Sequence, residues 1–410
     1  MKRIALLVCL VLIACERSPV PSKQPAAKKE IVAPAIEPDT DADNLLNLAY
    51  GAAVVSRTGE MHLETSAAHA IDGLHGTSWF SSPGAPDEVL VFSLLAPSRV
   101  TQVGVTPLAG EYAVRKIAFD TSMDGREWRE LVTMQPENKD SRQLVSVPGT
   151  VARFIRVRSL EKENYYVRAR GFHVIGDEVE VPATPPFTGC WTVNGQRAHL
   201  VQEGARITGT IESDPPLLLD GGTDNRVALV TWTQGASWGH AALTRTPDGR
   251  QLTGIRFYEQ FDAKTLAEGW FGERCTGEPA IPAAQGSSPA VATAFLARAR
   301  TYPLYGLVFD SNDRLVRELS APALDVLVSL LRSTSQPVRV VSHEVRYDTA
   351  EENRRHTAAR IEALRAALQS RGVNVGRIDF VSAGNDWTEP VLRATIQRHL
   401  ASRVEISFGT

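Results

Sequence analysis

The sequence is short of cysteine, of net charge and of long apolar runs, and each shortage excludes a class of protein. Four cysteines in 410 residues are too few for a disulfide-dense scaffold. A net charge of −3 provides no basic surplus, which argues against a nucleic-acid partner. The longest apolar run, residues 4–14, would rise about 16 Å as a helix, whereas a bilayer core is ~30 Å thick. The remaining composition is that of globular protein, and the length predicts several domains.

Several catalytic signatures are also missing. The sequence contains no His-Glu-x-x-His, no Walker loop and no dinucleotide-binding fingerprint. We therefore expect a protein that is not an enzyme. The alternative is an enzyme with an unrecognised site in its middle region, which would require Asp220, Asp224 and His240 to converge in one exposed pocket.

The N-terminus has the pattern of an export signal. Two basic residues precede the apolar run at residues 4–14, which ends in Leu12-Ile13-Ala14-Cys15. This ending resembles the bacterial lipobox, and the resemblance implies a lipoprotein signal peptide at residues 1–14 and a lipid anchor on Cys15. Because Glu16 replaces the aspartate of inner-membrane retention, we expect an outer-membrane lipoprotein that faces the periplasm. An ordinary cleaved signal with an incidental cysteine is the alternative reading.

Proline-rich stretches divide the rest of the chain. Residues 15–44 carry five prolines and no apolar period, so they predict a tether behind the lipidated cysteine. Further breaks at residues 177–186 and 276–290 leave three predicted globular regions, at residues 45–176, 187–276 and 297–410.

The middle region alternates polar and apolar residues between Asn-Gly and Asp-Gly turns, which predicts a small antiparallel β domain. Cys190 stands near its start and Cys275 near its end. In an exported chain this pair predicts one disulfide that joins the two ends of the domain. Two buried free thiols are the alternative.

The first region predicts an all-β sandwich, because short apolar strands recur between turn signals. It resembles the discoidin family, also called coagulation factor 5/8 type C domains, which are galactose-binding-like sandwiches. The resemblance rests on Asn47-Leu48-Ala49, Ala70-Ile71-Asp72-Gly73, Ser122-Met123-Asp124-Gly125-Arg126-Glu127-Trp128 and Ala152-Arg153-Phe154-Ile155-Arg156-Val157.

This resemblance implies a binding module whose loops hold a glycan, a lipid head group or a protein. It also implies a structural calcium ion with Asp72 and Thr77 among the ligands, although Gly171 stands where the family has a glutamate. Sugar binding requires exposed aromatic rings beside polar groups. The candidates in predicted loops are His62, Tyr112, Tyr165, Tyr166 and Arg168.

The last region alternates strands and helices and predicts an α/β domain. Ser320 is placed as the N-cap of one helix, and a longer helix covers about residues 350–370 with Gly372 just beyond its end. Val404, Ile406 and Phe408 alternate with polar residues in the predicted last strand.

This region resembles the OmpA-like domain, with a βαβαβ fold that associates with peptidoglycan. The resemblance rests on Ser342-His343-Glu344-Val345, on Asn353 and on His356-Thr357-Ala358-Ala359-Arg360. It implies peptidoglycan binding by Arg360, Asn353 and His343. Val345 replaces the acceptor aspartate of the family and cannot accept a hydrogen bond, and the neighbouring Glu344 is expected to point elsewhere.

Together these patterns predict an outer-membrane lipoprotein that associates with peptidoglycan through its last domain and binds a glycan or envelope partner through its first. A scaffold whose degenerate last domain binds protein, and an envelope enzyme, are the alternatives.

Overall fold

The computed structural model describes residues 41–82, 88–161, 166–180, 183–259, 267–276, 289–386 and 395–409. The chain divides into two units, Met1–Ala33 and Pro34–Thr410, and every described residue belongs to the second. The predicted signal peptide, the anchor Cys15 and most of the predicted tether lie outside the described residues.

The first domain, residues 41–178, is a seven-stranded antiparallel assembly in the order β2-β7-β3-β6-β4-β5, with β1 paired to β3. Strand β3 is bulged after Ser93 and Val100, so that its first half pairs with β1 and its second half with β7. A long strand that bends in this way can serve two layers of a sandwich. The strands are β1 (Ala53–Arg57), β2 (Trp79–Phe80), β3 (Glu88–Pro107), β4 (Lys116–Ser122), β5 (Arg129–Met134), β6 (Gln143–Glu161) and β7 (Arg168–Glu178).

The first domain begins earlier than the predicted boundary at residue 45. Asp41 and Asn44 were predicted to belong to the tether, but both are buried. The Asp41 carboxylate accepts hydrogen bonds from His173 at 2.9 Å and from Asn47 at 2.8 Å. These bonds satisfy a carboxylate that would be costly to bury alone, so the end of the tether is part of the fold.

The middle region is a closed eight-stranded antiparallel barrel, which confirms the predicted small β domain. Cys190 and Cys275 form the predicted disulfide where the first and last strands of the barrel meet. Trp191 and Trp232 are fully buried inside the barrel, where they fill its core. The strands are β8 (Gly189–Val193), β9 (Gln196–Glu203), β10 (Arg206–Ile211), β11 (Leu217–Thr223), β12 (Ala228–Gln234), β13 (Ser237–Arg245), β14 (Gln251–Tyr258) and β15 (Ala267–Arg274).

The C-terminal domain, residues 289–409, is a mixed α/β fold around a four-stranded sheet in the order β16-β19-β17-β18. The long helix α3 and the last strand β19 lie where the sequence predicts them. Its OmpA-like identity stays a prediction. The elements are α1 (Ala290–Leu296), β16 (Tyr302–Pro303), α2 (Arg317–Ser333), β17 (Val338–His343), α3 (Ala350–Ser370), β18 (Ile378–Gly384), α4 (Thr395–Ala401) and β19 (Val404–Phe408).

Helix α2 begins one turn before the predicted start. Val316 occupies its N-cap position, and the expected cap Ser320 lies within the helix, fully buried. The Ser320 hydroxyl instead accepts a hydrogen bond from the amide of Val308 at 2.9 Å. Ser320, which the local sequence pattern predicts as a helix cap, therefore makes a tertiary hydrogen bond instead.

The three domains pack directly on one another, whereas the sequence predicts separate regions between linkers. Thr244 of the barrel donates a hydrogen bond to the carbonyl of Ala52 at 2.7 Å, and Arg226 pairs with Glu178 at 2.8 Å. A Cβ on Gly222 would lie 2.2 Å from the carbonyl oxygen of Tyr305, so the barrel approaches the C-terminal domain backbone to backbone. None of the helices in the described ranges is long and apolar enough to cross a membrane.

Candidate functional site

Two loops of the first domain meet beside the short strand β2. Phe80 of β2 lies opposite Arg168, the first residue of β7. The amide of Arg168 donates to the carbonyl of Tyr112 at 2.8 Å, and the amide of Ser81 donates to Val167 at 3.0 Å. These backbone bonds hold the ends of three separate chain segments together at one end of the sheet.

Three aromatic rings form a half-buried stack at this point. The rings of Tyr112 and Tyr166 are parallel, with centroids 4.4 Å apart, and the ring of Phe80 follows at 5.8 Å from Tyr166. The Arg168 guanidinium lies 5.4 Å from the Phe80 centroid and 5.1 Å from that of Tyr112. We call Phe80, Tyr112, Tyr166 and Arg168 the aromatic cluster.

The guanidinium of Arg168 makes no hydrogen bond or ion pair with any described residue. Its environment is therefore set by ring faces, which attract a cation without using its N–H donors. Gly110 makes room for it, because a Cβ there would lie 3.2 Å from Nη2 of Arg168, and its φ of +135° favours glycine. The cluster thus combines flat apolar faces with a charged donor group.

The structure brings together three of the five predicted sugar-binding candidates, namely Tyr112, Tyr166 and Arg168. Tyr165 lies outside the described residues. His62 instead precedes a 3-10 helix that contacts strand β15 of the barrel. The sequence analysis missed Phe80. Alternation along strand β2 could have identified it: Trp79 is buried, and successive side chains of a strand point to opposite faces, so Phe80 is expected on the outer face.

The predicted calcium ligands lie elsewhere in the first domain. Asp72 is fully buried, and its carboxylate accepts hydrogen bonds from the Thr77 hydroxyl at 2.8 Å, the amide of Leu74 at 2.8 Å and His69 Nδ1 at 2.9 Å. The described residues contain no group of three or more His, Cys, Asp or Glu placed to hold a metal ion. This donor set does not fit calcium, which favours several carboxylates. Calcium binding by Asp72 and Thr77 stays a prediction.

The predicted peptidoglycan residue Arg360 is buried in a network of ion pairs. Its guanidinium donates to Asp313 at 2.9 Å and to Glu344 at 2.6 Å. Glu344 also accepts two bonds from Arg346 and one from Ser402. The Glu344 side chain therefore faces Arg360, which corrects the expectation that it points elsewhere.

The other two predicted peptidoglycan residues make structural contacts. Asn353 is fully buried, and its amide bonds both the N–H and the carbonyl of Tyr347 at 3.2 and 3.0 Å. His343 is buried against Glu405, 3.2 Å from its carboxylate. The structure thus places Asn353 and His343 as supports of the loop that follows β17, next to the Arg360 network.

Burial alone would raise the pKa of Glu344, but its hydrogen bonds with Arg346 and the charges of Arg346 and Arg360 hold it well below the ordinary value. Burial would also raise the pKa of Glu405. The charge of Arg403 and then the hydrogen bond with His343 outweigh this effect and lower the pKa to about 2. Both carboxylates are therefore charged at neutral pH.

The residues proposed for an enzymatic middle domain do not converge in an exposed pocket. Asp220 is buried and paired with Arg206 at 2.9 Å. His240 is buried against Tyr305, and burial followed by the charge of Arg403 lowers its pKa to about 3. The carboxylate of Asp224 accepts backbone bonds from its own turn.

We predict that stability falls steadily as the pH is lowered below 6.5. Burial and then Arg346 lower the pKa of His399 to about 4, so between pH 6.5 and 4 the unfolded chain binds a proton that the folded chain does not. Glu344 and Glu405, whose folded pKa values are depressed, contribute stability above about pH 4.5 that is lost at lower pH. The melting temperature, followed by circular dichroism from pH 7 to 3, is expected to drop in both windows.

The variant His399→Gln isolates the contribution of His399. It should reduce the decline between pH 6.5 and 4.5 without removing it, because His240, whose pKa burial lowers to about 3, is also protonated only in the unfolded chain at these pH values. The steeper decline below pH 4.5 should remain. A melting temperature that stays constant from pH 7 to 3 would contradict the assignment.

Comparison with known families identifies the first domain. Residues 53–171 match the sequence profile of the F5/8 type C domain, which confirms the predicted discoidin-like module. The match covers the aromatic cluster. A search of curated proteins found no match.

Solved structures similar to this chain include carbohydrate-related modules at low identity. The C-terminal domain of a chitobiase from Bacteroides fragilis is 20% identical and covers 32% of this chain and 96% of its own, with a TM-score of 0.30. The module CpGH89CBM32-5 from Clostridium perfringens, in complex with GalNAc-β-1,3-galactose, is 19% identical over 30% of this chain and 94% of its own, with a TM-score of 0.28. The family 32 CBM of C. perfringens NanJ, in complex with galactose, is 18% identical over 30% and 92%, also with a TM-score of 0.28.

Proposed function

We propose that the first domain binds a glycan at the aromatic cluster. The observation that carries this proposal is an arginine without a hydrogen-bonding partner among the described residues, set between half-buried aromatic rings. A sugar ring has an apolar face that packs on aromatic rings and hydroxyl groups that accept hydrogen bonds from a guanidinium. The cluster supplies both kinds of contact at the loop end of an F5/8 type C domain.

The test is direct binding of sugars to the purified protein. Galactose and GalNAc-β-1,3-galactose, the sugars in two of the similar structures, are the first probes. We expect saturable binding by calorimetry and competition between free sugar and immobilised glycan. Failure of a broad glycan panel to bind would overturn the proposal.

We further propose that the chain is an outer-membrane lipoprotein anchored through Cys15 and facing the periplasm. The support is the lipobox-like end of the apolar run at residues 4–14. An anchored glycan-binding domain would hold the protein to a polysaccharide or envelope partner beside the membrane. Substitution of Cys15 by serine should prevent lipid labelling.

We also propose that the C-terminal domain associates with peptidoglycan, on the basis of its OmpA-like sequence pattern. Asp313 and Glu344 already pair with Nε and Nη1 of Arg360, so a stem-peptide carboxylate would have to bind Nη2 or displace one of these partners. Displacement costs the free energy of the ion pair it breaks. Binding of protein rather than peptidoglycan is the alternative for this domain.

We predict that the full chain sediments with insoluble peptidoglycan more strongly after Glu344→Gln than before, because the change removes one of the two carboxylates that pair with Arg360. Unchanged or weaker sedimentation of the folded variant would contradict this prediction. A chain that stays in the supernatant in both forms would remove peptidoglycan from the proposed function.

We also propose that the protein acts by binding and not by catalysis. The support is the lack of His-Glu-x-x-His, Walker and dinucleotide-binding motifs and the engagement of Asp220 and His240 in buried contacts. An envelope enzyme would need a site other than these residues.

A further inference from the structure

A cavity of about 190 Å³ lies at the seam between the barrel and the C-terminal domain. The barrel contributes the end of β11 and the turn after it, and the C-terminal domain contributes the ends of β17 and α4. The cavity therefore exists because the two domains pack together. Clefts at domain junctions are common positions for small-molecule sites.

The charged groups that line this cavity are mostly cationic. Arg346, Arg360 and Arg403 line it, whereas Asp224 is the one carboxylate among the lining residues. The carboxylates that pair with the three arginines, Glu344, Asp313 and Glu405, do not line the cavity. The face that a ligand would meet therefore carries positive charge, with its counter-charges behind it.

These carboxylates hold the guanidinium groups in place without using all their donors. Arg360 donates through Nε and Nη1, and Arg346 through Nε and Nη2. Nη2 of Arg360 and Nη1 of Arg346 donate to no described residue. Donor groups positioned in this way by buried partners are the usual arrangement of a preorganised anion site.

Neutral polar groups complete the lining. Ser342 is fully buried on β17, and its hydroxyl has no hydrogen-bond partner among the described residues. A buried hydroxyl without a partner is costly, so a ligand that bonds it would gain free energy. His399 also lines the cavity and, with a pKa lowered to about 4 by burial and by Arg346, is a neutral ring at pH 7.

We propose that this cavity binds a small oxyanion, such as a phosphate or a short organic carboxylate. Guanidinium groups recognise both through paired N–H donors, and the volume limits the ligand's size. The cavity's volume is smaller than the ~300–1,000 Å³ of pockets that take drug-sized ligands, which favours a small ion. The site is separate from the aromatic cluster and from glycan binding there, but it shares Arg360 with the proposed peptidoglycan site.

The test uses the full chain in chloride buffer, with inorganic phosphate and succinate as probes. We expect at least one probe to bind saturably by calorimetry and to raise the melting temperature more than sodium chloride of equal ionic strength. The better probe shows whether phosphate or carboxylate oxygens are preferred. If neither probe exceeds the chloride control, the proposal is wrong.

Arg346→Gln is the main variant, because Arg346 is 45% exposed in its side chain and the Arg360–Glu344 pair remains without it. We expect it to weaken binding by about tenfold or more, the loss of a charge-assisted hydrogen bond. Ser342→Ala, which removes the unpartnered hydroxyl, should weaken binding without lowering the melting temperature.

The control Arg354→Gln removes an exposed, paired arginine of the same domain and should leave binding unchanged. Equal binding by Arg346→Gln and wild type, or an equal loss in Arg354→Gln, would overturn the proposal.

Discussion

Replacement of Arg168 by alanine is expected to abolish measurable glycan binding and to leave the fold intact. The guanidinium donates to no described residue, so its removal breaks no ion pair of the domain. A hydrogen bond to a charged group contributes roughly 1.5–3 kcal/mol, which is about ten- to more than hundredfold in affinity for one bond. Calorimetry with the best sugar of the panel measures the loss, and the melting temperature reports the fold.

Arg170→Ala is the matched control. Arg170 lies two positions along the same strand, but Asp140 and the carbonyl of His75 already accept its hydrogen bonds at 2.5 and 2.6 Å. Its removal takes away the same charge and no free donor, so the affinity should change only slightly. If both variants lose binding equally, net charge rather than the cluster is responsible.

The ring stack offers a second check of the same site. Tyr166 lies between the other two rings, so Tyr166→Ala should separate the stack and weaken binding strongly. Tyr166→Phe keeps the ring face and should retain most of the affinity. Equal loss in both variants would instead assign the effect to the hydroxyl.

Glu344→Gln is expected to lower the free energy of unfolding by ~3–5 kcal/mol. Glu344 is fully buried, and its carboxylate pairs with Arg346 and Arg360, both at 2.6 Å. A neutral amide leaves the two guanidinium groups with a weaker acceptor and turns an N–H group toward one of them. All four α-helices belong to the C-terminal domain among the described residues, so urea unfolding followed at 222 nm reports on this region.

Glu362→Gln is the control for this change, because it removes the same charge from the same domain. Glu362 is 68% exposed and pairs with Arg365 at 3.4 Å. An exposed pair of this kind contributes about 0.5 kcal/mol or less. Similar midpoints for the two variants would show that Glu344 does not hold the domain together.

The local sequence pattern correctly predicted the helices and strands whose limits depend on local interactions. Helix α3 runs to Ser370 and is followed by Gly372 at a φ of +74°, as the sequence indicated. Val404, Ile406 and Phe408 alternate along the last strand of the sheet. In the first domain, motif spacing was enough to predict the family that residues 53–171 match.

The residues whose roles were predicted wrongly from the sequence are those whose roles depend on long-range contacts. Ser320 serves a contact with Val308 and not a helix cap. Asp41 was assigned to the tether because its partner His173 is distant in sequence. Glu344 was set aside on the basis of its neighbour Val345, but the conformation of the loop after β17 turns its carboxylate onto Arg360.

The sequence by itself determined the discoidin-like type of the first domain, the disulfide partners and several aromatic residues of the glycan candidate site, because periodicity, turn residues and motif spacing are local properties. Only the tertiary structure decided that Phe80 joins Tyr112 and Tyr166 around Arg168, and that three arginines line one cavity at a domain seam. The physical reason is that a site depends on distances between side chains far apart in the chain. Those distances follow from strand pairing and domain packing, which no local pattern records.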